Sequence, residues 1–131
     1  APEFVAKRGL PRTPDDLRGM PCIIDTNMPN QTSWRFAENG RVLNVQVAGP
    51  VRVNSPVASM QAAIAGLGFA ILPAYLADPH VKAGTLVSVM ADLMPDGPSL
   101  SAVYPHRRHL AGKVRALIDF LIGWFAENPV R

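Results

Sequence analysis

The residues best suited to chemistry in this chain sit where a strand gives way to a helix. Val51-Arg52-Val53 alternates as a strand does, and Asn54-Ser55-Pro56 then supplies capping types followed by a proline, which fits the first helical position. A helix opening there leaves unpaired N–H groups and a partial positive charge at its first turn, so Asn54 to Val57 form a seat for a carboxylate or other polar group. Ordinary capping is the simpler use of the same residues. Ser55 and Asp25 could be imagined as a nucleophile and its helper, yet no G-x-S-x-G elbow, phosphate-binding glycine loop or paired acid and base accompanies them. The single cysteine, Cys22, lies in the apolar run Cys22-Ile23-Ile24 and reads as a small buried hydrophobe, which leaves no internal disulfide and no cysteine-cluster metal site. His80, His106 and His109 form no HxxxH or HxH pair. The expectation is no catalytic residue, no metal and no cofactor.

The elements that must position this seat follow from patterning. Val57, Met60, Ala63 and Ile64 recur at helical spacing, Gly66 and Gly68 stop that helix, and Phe69-Ala70-Ile71-Leu72 is the short apolar run of a covered strand. A strand, helix and strand in this order predict parallel pairing of 51 to 53 with 69 to 72. Upstream, residues 1 to 13 read as an extended connector, and Thr13-Pro14-Asp15-Asp16-Leu17 as a capped start to a short helix closed by Gly19 and Pro21. Cys22 to Asp25 reads as a buried strand. Trp34 and Phe36 alternate with Arg35, and Asn39-Gly40 then predicts a hairpin into the alternating Val42 to Val47. A short helix is expected near Ala74 to Ala77, with a turn at Asp78-Pro79, and a strand from Thr85 to Val89. The stretch from Asp92 to Ser99, with Pro95, Gly97 and Pro98, is the best internal boundary, after which Leu100 to Tyr104 reads as a strand. Leu110 to Ala126 reads as the longest helix, and Phe120, Ile122 and Trp124 widen its apolar surface beyond one face.

A chain of 131 residues with 48% hydrophobic and 18% charged residues makes one globular domain, or one domain with a piece of another. No run reaches the ~20 apolar residues of a membrane span, and the N-terminus lacks the pattern of an export signal. The net charge of +3 is spread over 13 basic residues of which only those of His106-Arg107-Arg108-His109 cluster, with no interleaved aromatics, so direct nucleic-acid binding is not expected.

Taken together, the segments resemble the C-terminal effector-binding region of LysR-type transcriptional regulators. The opening APEFVAKRGLPRTPDDL is similar to that family's crossover segment, CIID follows in place, the aromatic hairpin with Trp34 and Phe36 comes next, and VNSPVASMQAAIAGLGFAILPAYL resembles the Asn, alanine-rich helix, Gly-Leu-Gly and Leu-Pro succession. GTLVSVM and SLSAVYPHRRHLAGKVRALIDFLIGWF match in order and spacing, so the resemblance covers nearly the whole chain.

The resemblance implies an α/β fold: a periplasmic-binding-protein-like subdomain with a mixed central sheet and flanking helices, plus a C-terminal strand and helix of a second subdomain. Residues 1–13 would be the crossover, 14–95 the second effector-binding subdomain, and 96–131 the returning strand and terminal helix of an incomplete first subdomain. The implied effector contacts are Thr26, Asn27 and Met28 after the first strand, and Asn54, Ser55 and Pro56 at the helix start; Phe69 and Ile71 belong to the core below. The implied partners are a small polar or anionic effector and further copies of the chain. DNA would be reached only through a winged helix-turn-helix domain absent from these residues. A cytoplasmic, non-enzymatic protein with no membrane association is expected. An extracytoplasmic solute-binding protein of the same architecture and a small α/β enzyme are the alternative readings.

Overall fold

The computed structural model describes residues 1–38, 40–95, 103 and 111–128. By its internal contacts the chain divides into two units, Ala1–Asp96 and Gly97–Arg131.

The centre of the first unit is β1, Ile24–Asp25. It runs parallel to β4, Arg52–Val53, with Ile24 opposite Arg52 and Asp25 opposite Val53. Parallel bridges extend the central strand backwards, Pro21 to Ala48 on one side and Cys22 to Phe69 on the other. The expected direct pairing of 51 to 53 with 69 to 72 is therefore corrected: both run parallel to the 21 to 25 strand, which lies between them. A crossover helix fixes the direction of the strand it leads to, not adjacency, and the most apolar segment takes the position covered on all sides. Cys22, Ile23 and Ile24 are each at most 2% exposed.

Close approach to that strand explains two glycines. A Cβ on Gly49 would collide with the Cys22 carbonyl oxygen, and one on Gly68 would lie 2.6 Å from the Pro21 carbonyl oxygen.

The hairpin joins β2, Ser33–Glu38, to β3, Arg41–Gln46, with Glu38 opposite Arg41, the register an Asn-Gly pair predicts, although Asn39 itself lies outside the described residues. The mixed sheet resolves into two ladders, a parallel one and this antiparallel one, each hydrogen-bonded within itself. They share a core instead. Trp34, Phe36, Val45 and Val47 pack with Leu17, Cys22 and Ile24 on one face of the parallel strands. On the other face Ile23, Met60, Ala63 and Leu86 form a second cluster beneath α2, Pro56–Ile64. Successive residues of a strand alternate between faces, and Cys22 and Ile24 against Ile23 show it. Within α2 the stripe shifts from expectation: Ser59, Met60 and Ala63 are buried while Val57 is half exposed.

Residues 1 to 13 are not wholly extended. Pro2–Arg8 form α1, whose signals are local: proline at the start, Glu3 in the first turn, Lys7 and Arg8 in the last, and Gly9 at φ 88° beyond it. Phe4 is buried and meets Phe69 edge-on at 5.2 Å, a tertiary contact that gives the short helix its place. Pro14–Gly19 is a 3-10 helix with the expected cap, the Asp16 carboxylate accepting from the Thr13 and Arg12 N–H groups at 2.9 and 2.8 Å. The helix expected to stop before Asp78-Pro79 continues as α3, Ala74–Lys82, straight through Pro79. Thr85 to Val89 joins no ladder among the described residues; the Thr85 and Leu86 N–H groups instead close α3 by donating to the His80 carbonyl at 2.9 and 3.2 Å.

The second unit contributes α4, Gly112–Glu127. Leu117, Phe120, Ile122 and Trp124 on it are between 46% and 66% exposed, the wide apolar surface its sequence suggested. The expected strand from Leu100 to Tyr104 lies outside the described residues except Val103, and Leu110 lies outside them too.

Candidate functional site

The seat forms where β1 and β4 end side by side. Thr26 leaves β1 with its N–H donating to the Val53 carbonyl at 2.7 Å, and its Oγ1 donates to the same oxygen at 3.1 Å. One residue later the Asn27 side-chain amide donates to the Asn54 carbonyl. The two loops that sequence reasoning singled out are thus stitched together at one sheet edge, as parallel strands with a common C-terminal side require. The Asn27 N–H turns back onto Asp25 Oδ1 at 2.9 Å, and the Met28 N–H onto the Asp25 carbonyl at 3.3 Å. These bonds set a tight turn directly after the strand.

Ser55 holds the N-cap position of α2 in extended conformation, φ −148° and ψ 129°, but its side chain makes no capping bond. Its carbonyl accepts the Ser59 N–H at 2.9 Å. Pro56 carries no N–H, so the donors of the first turn are those of Val57 and Ala58. Asn27 and Asn54 are exposed; Thr26, Met28, Ser55 and Pro56 are half-buried. The arrangement offers hydroxyls, amides and free N–H groups on a partly open edge, which suits binding.

Two residues that sequence reasoning passed over belong to the same edge. Gln31 donates from Nε2 to the Thr26 carbonyl at 3.1 Å, and its Oε1 accepts from Arg52 Nη2 at 2.8 Å. Arg52 lies on the face opposite Val53, and Gln31 lies in the polar loop; only the parallel register brings them together. Phe69 and Ile71 pack against the core, as expected.

A cavity of about 260 Å³ is a separate feature, walled by apolar side chains such as Phe4, Trp34, Phe36, Phe69, Ile71 and Met90, and sharing none of the six expected contacts. Burial pushes the Cys22 thiol up to about 12, and its Sγ lies 3.5 Å from the Met20 carbonyl, the surroundings of an inert thiol. Among the described residues no three His, Cys, Asp or Glu side chains gather to hold a metal ion, and no helix is long and apolar enough to cross a membrane.

Parallel strands under a crossover helix, a polar strand-end edge and a hairpin sharing the core make an α/β domain, and its solved neighbours are regulatory domains of periplasmic-binding-protein-like architecture. Solved structures bear out that fold. The regulatory domain of CrgA from Neisseria meningitidis matches with a TM-score of 0.73 over 94% of this chain and 61% of its own, at 22% identity. Full-length AphB, a virulence activator of Vibrio cholerae, matches with a TM-score of 0.71 over 95% of this chain and 42% of its own, at 21% identity.

The model of the LysR substrate binding domain matches residues 1–126, and the chain belongs to that family. Its relatives include the putative LysR family substrate binding domain-containing protein YagP of Escherichia coli, 34% identical over 70% of this chain and 67% of that protein. An uncharacterized HTH-type transcriptional regulator of Haemophilus influenzae is 30% identical over 89% of this chain, and a putative transcriptional regulator of Pseudomonas aeruginosa 34% identical over 92%. The chain spans 41% and 40% of the length of these two regulators. The family is a transcription-regulator binding domain, not an enzyme family.

Proposed function

We propose that this chain is the effector-sensing and oligomerisation region of a bacterial LysR-type transcriptional regulator, and that Thr26, Asn27, Met28, Asn54, Ser55 and Pro56 form one wall of its effector site. The observation that carries this reading is the joining of the two loops: the Asn27 amide on the Asn54 carbonyl and Thr26 on the Val53 carbonyl, beside a helix start whose cap hydroxyl is uncommitted. Residues 14–95 are the effector-binding subdomain. Residues 1–13 lead in from the crossover, and 96–131 carry the returning strand and terminal helix of the other subdomain.

The ligand is a small polar or anionic molecule, and no chemistry is performed on it. Further copies of the chain are its protein partners, with the apolar surface of α4 contributing to association. DNA is contacted by a winged helix-turn-helix domain, not by these residues, and the setting is cytoplasmic. A thermal-shift screen of the chain against small carboxylates, amino acids, sugars and polar aromatics tests the site. Compounds that stabilise the wild type should lose their effect in Ser55→Ala and Asn54→Ala. If every stabilising compound acts equally on both variants, this wall is not the site.

A further inference from the structure

The carboxylate of Asp25 is the group at this edge whose surroundings the turn does not explain. It is 9% exposed, yet among the described residues its only hydrogen-bond donor is the Asn27 N–H on Oδ1, and no cation pairs with it. Among the described residues the fully enclosed, partnerless side-chain atoms are Trp34 Nε1 and Ser59 Oγ. Asp25 Oδ2, equally without a donor, is absent from that pair and is therefore the part of the side chain that reaches the outside. Its direction follows from register. Asp25 is opposite Val53 and two residues after Ile23, and both of these pack in the cluster beneath α2, so the carboxylate lies on the α2 face at the very end of the strand. Arg52 stands on the other face, tied to Gln31, and does not neutralise it.

The protein supplies a donor to Oδ1 alone and leaves Oδ2 to solvent, so a ligand group at the proposed wall that donates to Oδ2 would replace water there. The neighbouring turn of α2 has the opposite need, because Val57 and Ala58 present N–H donors and the Ser55 side chain is uncommitted. A ligand meeting both carries an acceptor and a donor on adjacent carbons. We propose that Asp25 is the specificity-determining residue of this wall, and that the ligand is a carboxylate with an amino or hydroxyl group on its α-carbon. The α-substituent donates to Asp25 Oδ2 while the ligand carboxylate faces Ser55 and the α2 N–H groups. This rests on the wall proposed above and narrows it: a simple anion would bring its charge against Asp25 without answering it.

The test uses the whole chain, isotopically labelled, titrated by two-dimensional NMR with L-alanine, L-lactate and propionate, and with phenylalanine, phenyllactate and phenylpropionate. These triplets hold the carboxylate constant and change only the α-substituent. In at least one triplet a donor-bearing member should bind at least about tenfold more tightly than the donor-free acid, with shifts at Asp25 to Met28 and Ser55 to Ala58. Alanine against lactate separates an ammonium from a hydroxyl donor. Asp25→Asn keeps an oxygen for the Asn27 N–H but turns the outward oxygen into a donor, so the preference should collapse to within about threefold while the turn persists. Asp25→Ser serves the same purpose if the asparagine variant does not fold. Equal binding of donor-free acids, a preference untouched by either variant, or no saturable shift up to about 50 mM in either triplet overturns the assignment. Binding of donor-free acids that Ser55→Ala abolishes would remove Asp25 from the argument and leave the wall standing; shifts collecting elsewhere would remove both.

Discussion

Gly68→Ala should loosen the parallel sheet at one defined seam. The new Cβ would lie 2.6 Å from the Pro21 carbonyl oxygen and 3.1 Å from its carbon, where unstrained contact needs about 3.5 Å or more. The oxygen cannot simply retreat, because it accepts the Phe69 N–H at 2.9 Å while the Phe69 carbonyl accepts the Ile23 N–H at 2.7 Å. Opening the seam by most of an ångström stretches both bonds beyond useful length in a region where Ile23 is 2% exposed. Two weakened backbone bonds and their partly orphaned groups cost about 3–4 kcal/mol. Reduced freedom of the unfolded chain returns about 0.4–1 kcal/mol, leaving a net loss of about 2–3 kcal/mol. With a urea slope of about 1–3 kcal/mol per molar for a chain of this size, the midpoint should drop by about 0.7–3 M. Gly19→Ala is the control, since a Cβ there meets nothing within 4 Å, and it should stay within about 0.5 kcal/mol of wild type. If Gly68→Ala matches that control with an unchanged slope, the close approach does not constrain the sheet and the reasoning fails.

Cys22 should resist alkylation at pH 8 in the native chain and react only in denaturant, because burial holds its thiol at about 12; rapid native labelling would contradict the packed core. The same shift has a sign in stability. The unfolded thiol ionises first, near its ordinary value of 9.0, so between there and about 12 the unfolded state binds fewer protons and stability should fall as pH rises, a fall that Cys22→Ala should diminish in urea titrations. Asp16 works in the opposite direction: the Thr13 and then the Arg12 N–H bonds hold its carboxyl below the usual value. Its contribution is fully present above the ordinary carboxylate value and should be lost as pH falls below that value and through the lowered one, with Asp16→Ala flattening that acid limb. On α4, Phe120 and Trp124 are 64% and 46% exposed. Sedimentation should show the wild-type chain heavier than its 14.1 kDa monomer and Phe120→Ser with Trp124→Ser closer to it. Both running as monomers at high concentration would rule out this helix as an association surface.

Much of the fold was legible because its signals are local. The Thr13 cap, the Asn39-Gly40 hairpin, the helix after Ser55-Pro56 and the apolar alternation from Trp34 to Val47 each follow from the conformations that a few adjacent residues allow. The signals of α1 were present as well, in Pro2, Glu3, Lys7 and Gly9, but seven residues are too few to hold a helix without the Phe4 contact on Phe69, which no local pattern contains.

The sequence by itself determined that this is an α/β chain with polar residues where its strands end, since residue types and periods settle which segments are strands and which residues stand where a strand ends. Strand order was decided only in three dimensions. Two parallel segments can both flank a third, and which one is central depends on burying Cys22, Ile23 and Ile24 on both faces while Gly49 and Gly68 admit the neighbouring backbones. The same register, with pairs separated by 28 residues in the chain, brings Gln31 to Arg52 and sets Asp25 opposite Val53 at the end of the strand. Contacts of that kind carry no sequence period, because they arise from the sum of packing and hydrogen bonding across the whole sheet.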